Sequence, residues 1–187
     1  MSRIVQIGLG AIGATVVAAL VTAQTPRRGG ATTPRPVSST SGARVEASLA
    51  QLMRGIVFPS SNVVFAAQGD LNEFPPAKDP SVSPNLLTST YGGWQAVENA
   101  SLALAESANL ILLPRQCSNG KPAPVQRADW IKFVHGLRDA GMAAYKAAQA
   151  KSQDAMVDAS GTVAEACSAC HEAYRDKNGG LPARCAP

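Results

Sequence analysis

The sequence predicts an all-α fold, arranged as an antiparallel four-helix bundle. Three observations lead there. Alanine is abundant and aromatic residues make up only 5% of the chain, which favours helices over a β-sandwich. Four stretches of about twenty residues or more repeat apolar side chains at helical spacing. No useful length of sequence alternates apolar with polar residues, and no repeat of solenoid length occurs.

Each helix can be justified in order. The first is expected over 43–68, with Val45, Leu49, Leu52, Ile56 and Val63 on one face and Met53 at its edge. Pro59 lies inside it, removes a backbone donor and crowds the preceding turn, so a kink or break is expected there. The proline-rich run GDLNEFPPAKDPSVSPN then forms a long connection. The second helix starts at Leu86 or Thr90 and reaches Leu113, where Pro114 stops it. Its stripe is Trp94, Val97, Ser101, Leu104, Ala108 and Ile111. The third spans 127–151 on Trp130, Phe133, Val134, Leu137, Gly141, Ala144 and Ala148. The fourth spans 152–177 on Met156, Ala159, Val163, Ala166, Cys170 and Ala173, and Gly179-Gly180 ends it. The short link between the last two makes them neighbours.

Upstream of the bundle the composition changes. The chain of 187 residues suits one domain plus processing segments, and 45% apolar residues suffice for a core. MSRIVQIGLGAIGATVVAALVTAQ has a positive residue, Arg3, an uncharged apolar stretch, and the small run Val21-Thr22-Ala23. It reads as a signal peptide over 1–23, which exports the remainder to the periplasm. The competing reading is an uncleaved anchor, because the apolar stretch approaches spanning length. Only in that case does the chain touch a membrane. Residues 24–42 are rich in Pro, Thr, Ser and Gly and read as a disordered linker, leaving 43–187 as the folded domain.

Net charge is +4, but Arg3, Arg27, Arg28, Arg35 and Arg44 all precede Val45, whereas every acidic residue follows it. The domain is therefore close to neutral and carries no stripe suited to nucleic acid.

The chemistry concentrates in CSACHEAYR, Cys167 to Arg175. On a helix Cys167 and Cys170 share a side, and His171 follows about 100° further round the axis. Two thiols so spaced can add across the two vinyl groups of a haem, and the next imidazole can then ligate its iron. This is the pattern of c-type haem attachment. The rival readings are weaker. A thioredoxin-like dithiol needs a βαβ setting that the sequence lacks. A zinc site needs a second ligand pair, and Cys117, Cys185 and His135 have no zinc spacing. A Cys167–Cys170 disulfide would be strained on a helix. His135, on the third helix, is a second possible ligand, but it lies off the Trp130–Phe133–Leu137 line and reads rather as a partly exposed histidine.

With a C-terminal CSACHEAYR on the fourth helix and three amphipathic helices before it, the chain resembles the class II c-type cytochromes, the cytochrome c-prime family and its low-spin relatives. The likeness covers about Arg44 to Lys177. It implies a four-helix bundle with one covalent haem c, held by Cys167 and Cys170 with His171 as proximal iron ligand. It also implies that the first helix supplies the distal side. Met53 is the only methionine there and is the candidate sixth ligand of a low-spin electron carrier. If Leu49 or Leu52 faces the iron instead, the resemblance implies a five-coordinate protein that binds NO or CO. Arg175 matches a basic position that influences the haem, against a plain reading as a helix-end arginine favoured by the macrodipole. Tyr174 is expected against the porphyrin or the core. The implied partners are redox proteins that dock transiently, and a second copy of the chain. Nothing suggests an acid–base pair or nucleophile, so no enzymatic activity is expected.

Cys117 and Cys185 remain. In an oxidising compartment an even number of spare thiols suggests a bridge. In an up-down-up-down bundle the loop after the second helix and the tail after the fourth lie at one end. A Cys117–Cys185 disulfide is therefore expected. A helical interaction module without cofactor is the reading left if CSACH is accidental.

Overall fold

A computed structural model describes residues 44–186. The expected signal peptide and linker lie outside them. The described chain is all-α. Its helices are α1 (Leu49–Leu52), α2 (Phe58–Ala66), α3 (Gly93–Ile111), α4 (Ala128–Gln149) and α5 (Gln153–Tyr174). A π-helical segment, Met53–Val57, joins α1 to α2 without a break in helical dihedrals. The described residues form no strand beyond an isolated bridge between Gln116 and Pro122.

The first rod begins later than the expected position 43. Ser48 caps it through a capping box: Gln51 N–H donates to Ser48 Oγ, and Ser48 N–H donates to Gln51 Oε1. Pro59 causes neither break nor sharp stop. The ladder widens ahead of it, so that Phe58 N–H donates to Met53 O, and Pro59 falls in the first turn of α2, where a missing donor is tolerated. Ser60 Oγ takes up Ile56 O at 2.7 Å. The inserted residue also rotates the apolar stripe. Val57 is buried in place of Ile56, which is 38% exposed.

Three 3₁₀ turns fill the long connection, each capped by a side chain: Asp70, Asp79 and Asn85 accept from the backbone two residues on. One of them, Leu86–Thr88, occupies the earlier of the expected helix starts, and α3 begins only at Gly93. Gly93 has φ +58°, which glycine adopts without strain. The last helix stops at Tyr174, short of 177, because the N–H groups of Arg175 and Asp176 both close on His171 O.

Packing follows the stripes. α3 packs on α4, α4 on α5, and α2 on both α3 and α5. Val97, Leu104, Ala108, Trp130, Val134, Ala144, Met156 and Val163 form the centre of the core. Gly141 lets α4 approach α3 closely, because a Cβ there would lie 2.8 Å from Ala105 N. α5 meets α2 through Ser160 Oγ on Val64 O at 3.1 Å. Gln153 Nε2, at the start of α5, donates to Ala67 O and Gln68 O just after α2. Far from that contact, Leu49 N–H donates to Gln116 O and Arg115 Nη1 to Ala47 O. These bonds join the start of the first rod to the α3–α4 loop. No helix among the described residues is long and apolar enough to cross a membrane.

Candidate functional site

α5 changes character along its length. Met156, Ala159, Ser160 and Val163 are buried, whereas Ala166, Cys167, Cys170 and Ala173 are half-buried. The second half borders a cleft of about 510 Å³, within the ~300–1,000 Å³ usual for ligand sites. Cys167, Cys170, His171, Tyr174 and Arg175 all line it, at offsets of 3, 4, 7 and 8 residues from Cys167, which is one side of a helix. The first rod supplies another wall through Leu49, Met53, Val57, Phe58 and Phe65. The cleft thus gathers every site residue expected from the sequence. Leu52 is buried in the core and does not line it; Leu49 and Met53 do. His135 is exposed and lies outside it. Of the two tryptophans, Trp130 lines the cleft and Trp94 does not.

The thiols of Cys167 and Cys170 are free. Burial pushes both up, Cys170 to about 11 with the Cys167 thiol adding to the effect. Burial therefore favours the neutral form of both thiols. Burial, assisted by the Arg175 charge, pulls His171 down against the opposing pull of Asp176, which favours the neutral imidazole that ligates metals. Arg175 Nη1 lies 3.5 Å from His171 Nε2, while Arg175 Nε and Nη2 donate to the Asp176 carboxylate at 2.7 Å each. Tyr174 is buried, edge-on to Trp130 with centroids 4.9 Å apart. Its hydroxyl accepts from Arg127 Nε at 3.2 Å.

Cys117 and Cys185 also border the cleft and are bonded to each other, with Cα atoms 6.4 Å apart. The bridge, spanning 68 positions, ties the tail to the α3–α4 loop. Asn119 Nδ2 to Arg184 O and Cys185 N–H to Tyr174 O fasten the tail further.

The residues fit a covalently held porphyrin. The walls are mainly apolar, two free thiols and a neutral imidazole share one helix side, and Phe58, 62% exposed, offers a ring face that a bound ligand would cover. Among the described residues no three His, Cys, Asp or Glu side chains cluster as a metal site. Iron within a porphyrin needs only axial ligands from the chain. A second hollow, lined by Asp70, Phe74, Trp94 and Gln153 among others, brings no thiol or imidazole.

Sequence reasoning missed Phe58, Phe65 and Arg184 as cleft residues. The stripe offset at Pro59 hid the first two. Arg184 was within reach, because its neighbour Cys185 was already expected over this end. The chain matches no protein-family model, no curated protein and no solved structure.

Proposed function

We propose that this chain is an exported monohaem c-type cytochrome of class II, an antiparallel four-helix bundle that carries electrons between periplasmic redox proteins. One observation carries the reading: Met53 from the first rod and Cys167, Cys170 and His171 from the last helix line the same apolar cleft. Cys167 and Cys170 would hold the haem through their free thiols, by addition to its two vinyl groups with the thiol hydrogens retained on carbon, so that no oxidant would be needed. His171 would hold the iron through its ring nitrogen, and Met53, on the facing wall of the cleft, would offer its thioether sulfur. When bound, the haem supplies one-electron chemistry, with a potential raised by His/Met ligation relative to bis-imidazole. The chain supplies a mainly apolar seat for it.

A second reading keeps the haem and opens the distal side to NO or CO. Leu49 favours it, lying one turn before Met53 on the same wall. The absorption spectrum of the matured protein, with and without carbon monoxide, separates the two. His/Met ligation predicts a low-spin spectrum unchanged by carbon monoxide, and a high-spin, carbon monoxide-sensitive spectrum in Met53→Leu. A wild-type spectrum that already shifts with carbon monoxide rejects Met53 as ligand and favours the gas-binding reading.

A further inference from the structure

The tail after α5 is held differently from the helices. Gly179 and Gly180 follow the helix with φ of +106° and +64°, which glycine adopts without strain. Beyond them lies a short 3₁₀ turn, Leu181–Ala183, and no residue from Leu181 to Ala186 is buried. Burial therefore contributes little to keeping the tail in place. Its polar ties are few. Asn119 Nδ2 donates to Arg184 O at 2.7 Å, Cys185 N–H to Tyr174 O at 2.8 Å and Lys177 Nζ to Ala186 O at 3.1 Å. Longer contacts, of 3.3 Å and 3.4 Å, run from Asn119 and Lys121 to Pro182 O, and Arg184 Nη1 lies 3.5 Å from Ser118 Oγ.

The strong tie is covalent. The Cys117–Cys185 bridge fastens the tail to the α3–α4 loop, and Cys117, Ser118, Arg184 and Cys185 all line the cleft. Cys117 is buried, whereas Cys185 is half-buried and is the member that a reagent can approach. Cys185 also has φ +58°, a left-handed conformation uncommon for a residue with a side chain. The bridge and the bond to Tyr174 O hold it there.

Two hinge glycines, a segment held by little burial and a chemically reversible latch are the parts of a strap. We propose that residues 181–186 close the tail side of the cleft while the Cys117–Cys185 bridge is intact, and that a dithiol reductant opens it. The step balances between the two partners. One thiolate of the dithiol attacks the Cys185 sulfur and displaces Cys117; its second thiol then displaces Cys185. The dithiol leaves as a disulfide, and both cysteines are left as thiols. With the latch cut, the tail turns about Gly179-Gly180 and the cleft opens toward Cys167 and Cys170, which line it too. The oxidation state of one cysteine pair thus governs access to the other, whatever ligand the cleft takes.

The test uses the full chain made without haem attachment, so that Cys167 and Cys170 stay free. Their labelling by a maleimide, located by peptide mass mapping, is timed in three samples: the bridged chain, the chain after treatment with dithiothreitol and its removal, and the variant with Cys117→Ser and Cys185→Ser. Opening by either route should speed labelling of both thiols by about tenfold or more, as a local opening does. Loss of the bridge also lowers global stability, so Met156→Ala with the bridge intact is the control. It should leave labelling within about twofold of the unaltered chain, because its cost falls on global and not local opening. Unchanged labelling after the bridge is opened overturns the strap. Equal acceleration in Met156→Ala overturns it as well, since the thiols are then reached by unfolding. A second measurement uses the matured protein and needs neither thiol. On reduction by dithiothreitol, the Cys185 amide should lose hydrogen-exchange protection by a larger factor than the amides of α3 and α4. A Cys185 amide as protected as before overturns the proposal. Neither result depends on the haem reading: a chain that takes no haem can show the strap, and a haem-bearing chain can lack it.

Discussion

The two halves of α5 share one helix and serve opposite ends. From Met156 to Val163 its inner face is sealed, with Met156 and Val163 at 0% exposure and Ser160 spent on a bond to α2. From Ala166 to Ala173 the inward face is half-open, and it borders the cleft that holds every expected ligand residue. The first half is paid for by burial. The second leaves apolar surface open at the cleft, the kind of lining that ligand sites use. The contrast separates residues that make the fold from residues that use it.

The sharpest way to break this contrast is to cut into both halves. Met156→Ala should cost about 2–5 kcal/mol in denaturant unfolding, with or without cofactor, as expected for a sealed core site. Cys167→Ala should cost the cofactor-free chain about 1 kcal/mol or less, since its side chain is half-buried. Equal costs would mean that the second half is ordinary core.

Opening the bridge tests the tail side of the cleft. Cys117→Ser with Cys185→Ser should remove about 2–4 kcal/mol, read from the loss in thermal midpoint under non-reducing conditions. A smaller effect lies in the closed part of the molecule. Gly141→Ala should cost about 1–3 kcal/mol, because the new methyl meets α3 backbone and neither helix can yield cheaply. Its haem content should be unchanged.

The smallest effect concerns Asp129, whose hydrogen bond from Arg127, with help from Tyr174, holds its carboxyl down to about 2. A depressed carboxyl stabilises the fold above its unfolded value and loses that contribution as pH falls through the folded one. Stability should therefore slope downward between pH 4 and pH 2, and Asp129→Asn should flatten part of that slope in thermal melts. An unchanged slope would place the acid sensitivity elsewhere.

Much of the fold was legible because α3 and α4 keep one uninterrupted period: Val97, Leu104, Ala108, Trp130, Val134 and Ala144 are buried as their spacing implies. The cleft residues of α5 were legible for a different reason, since CSACH stands out as a chemical pattern and not as a packing one. The first rod resisted. Pro59 signalled a disturbance, but a proline can be met by a kink, a break or a widened turn, and these place Ile56 and Val57 differently. Only the tertiary setting, with Val57 turned inward and Ser60 Oγ bonded to Ile56 O, selects the π segment. Arg184 is the converse case. Nothing in its local sequence marks a cleft residue; the tail brings it there through a bridge and a few backbone contacts.

The most direct test of the central claim is the intact mass of the protein matured in a host that attaches c-type haem. One haem per chain, surviving denaturation and lost in the variant with Cys167→Ala and Cys170→Ala, is the predicted result. A bare polypeptide from the same host would contradict the account.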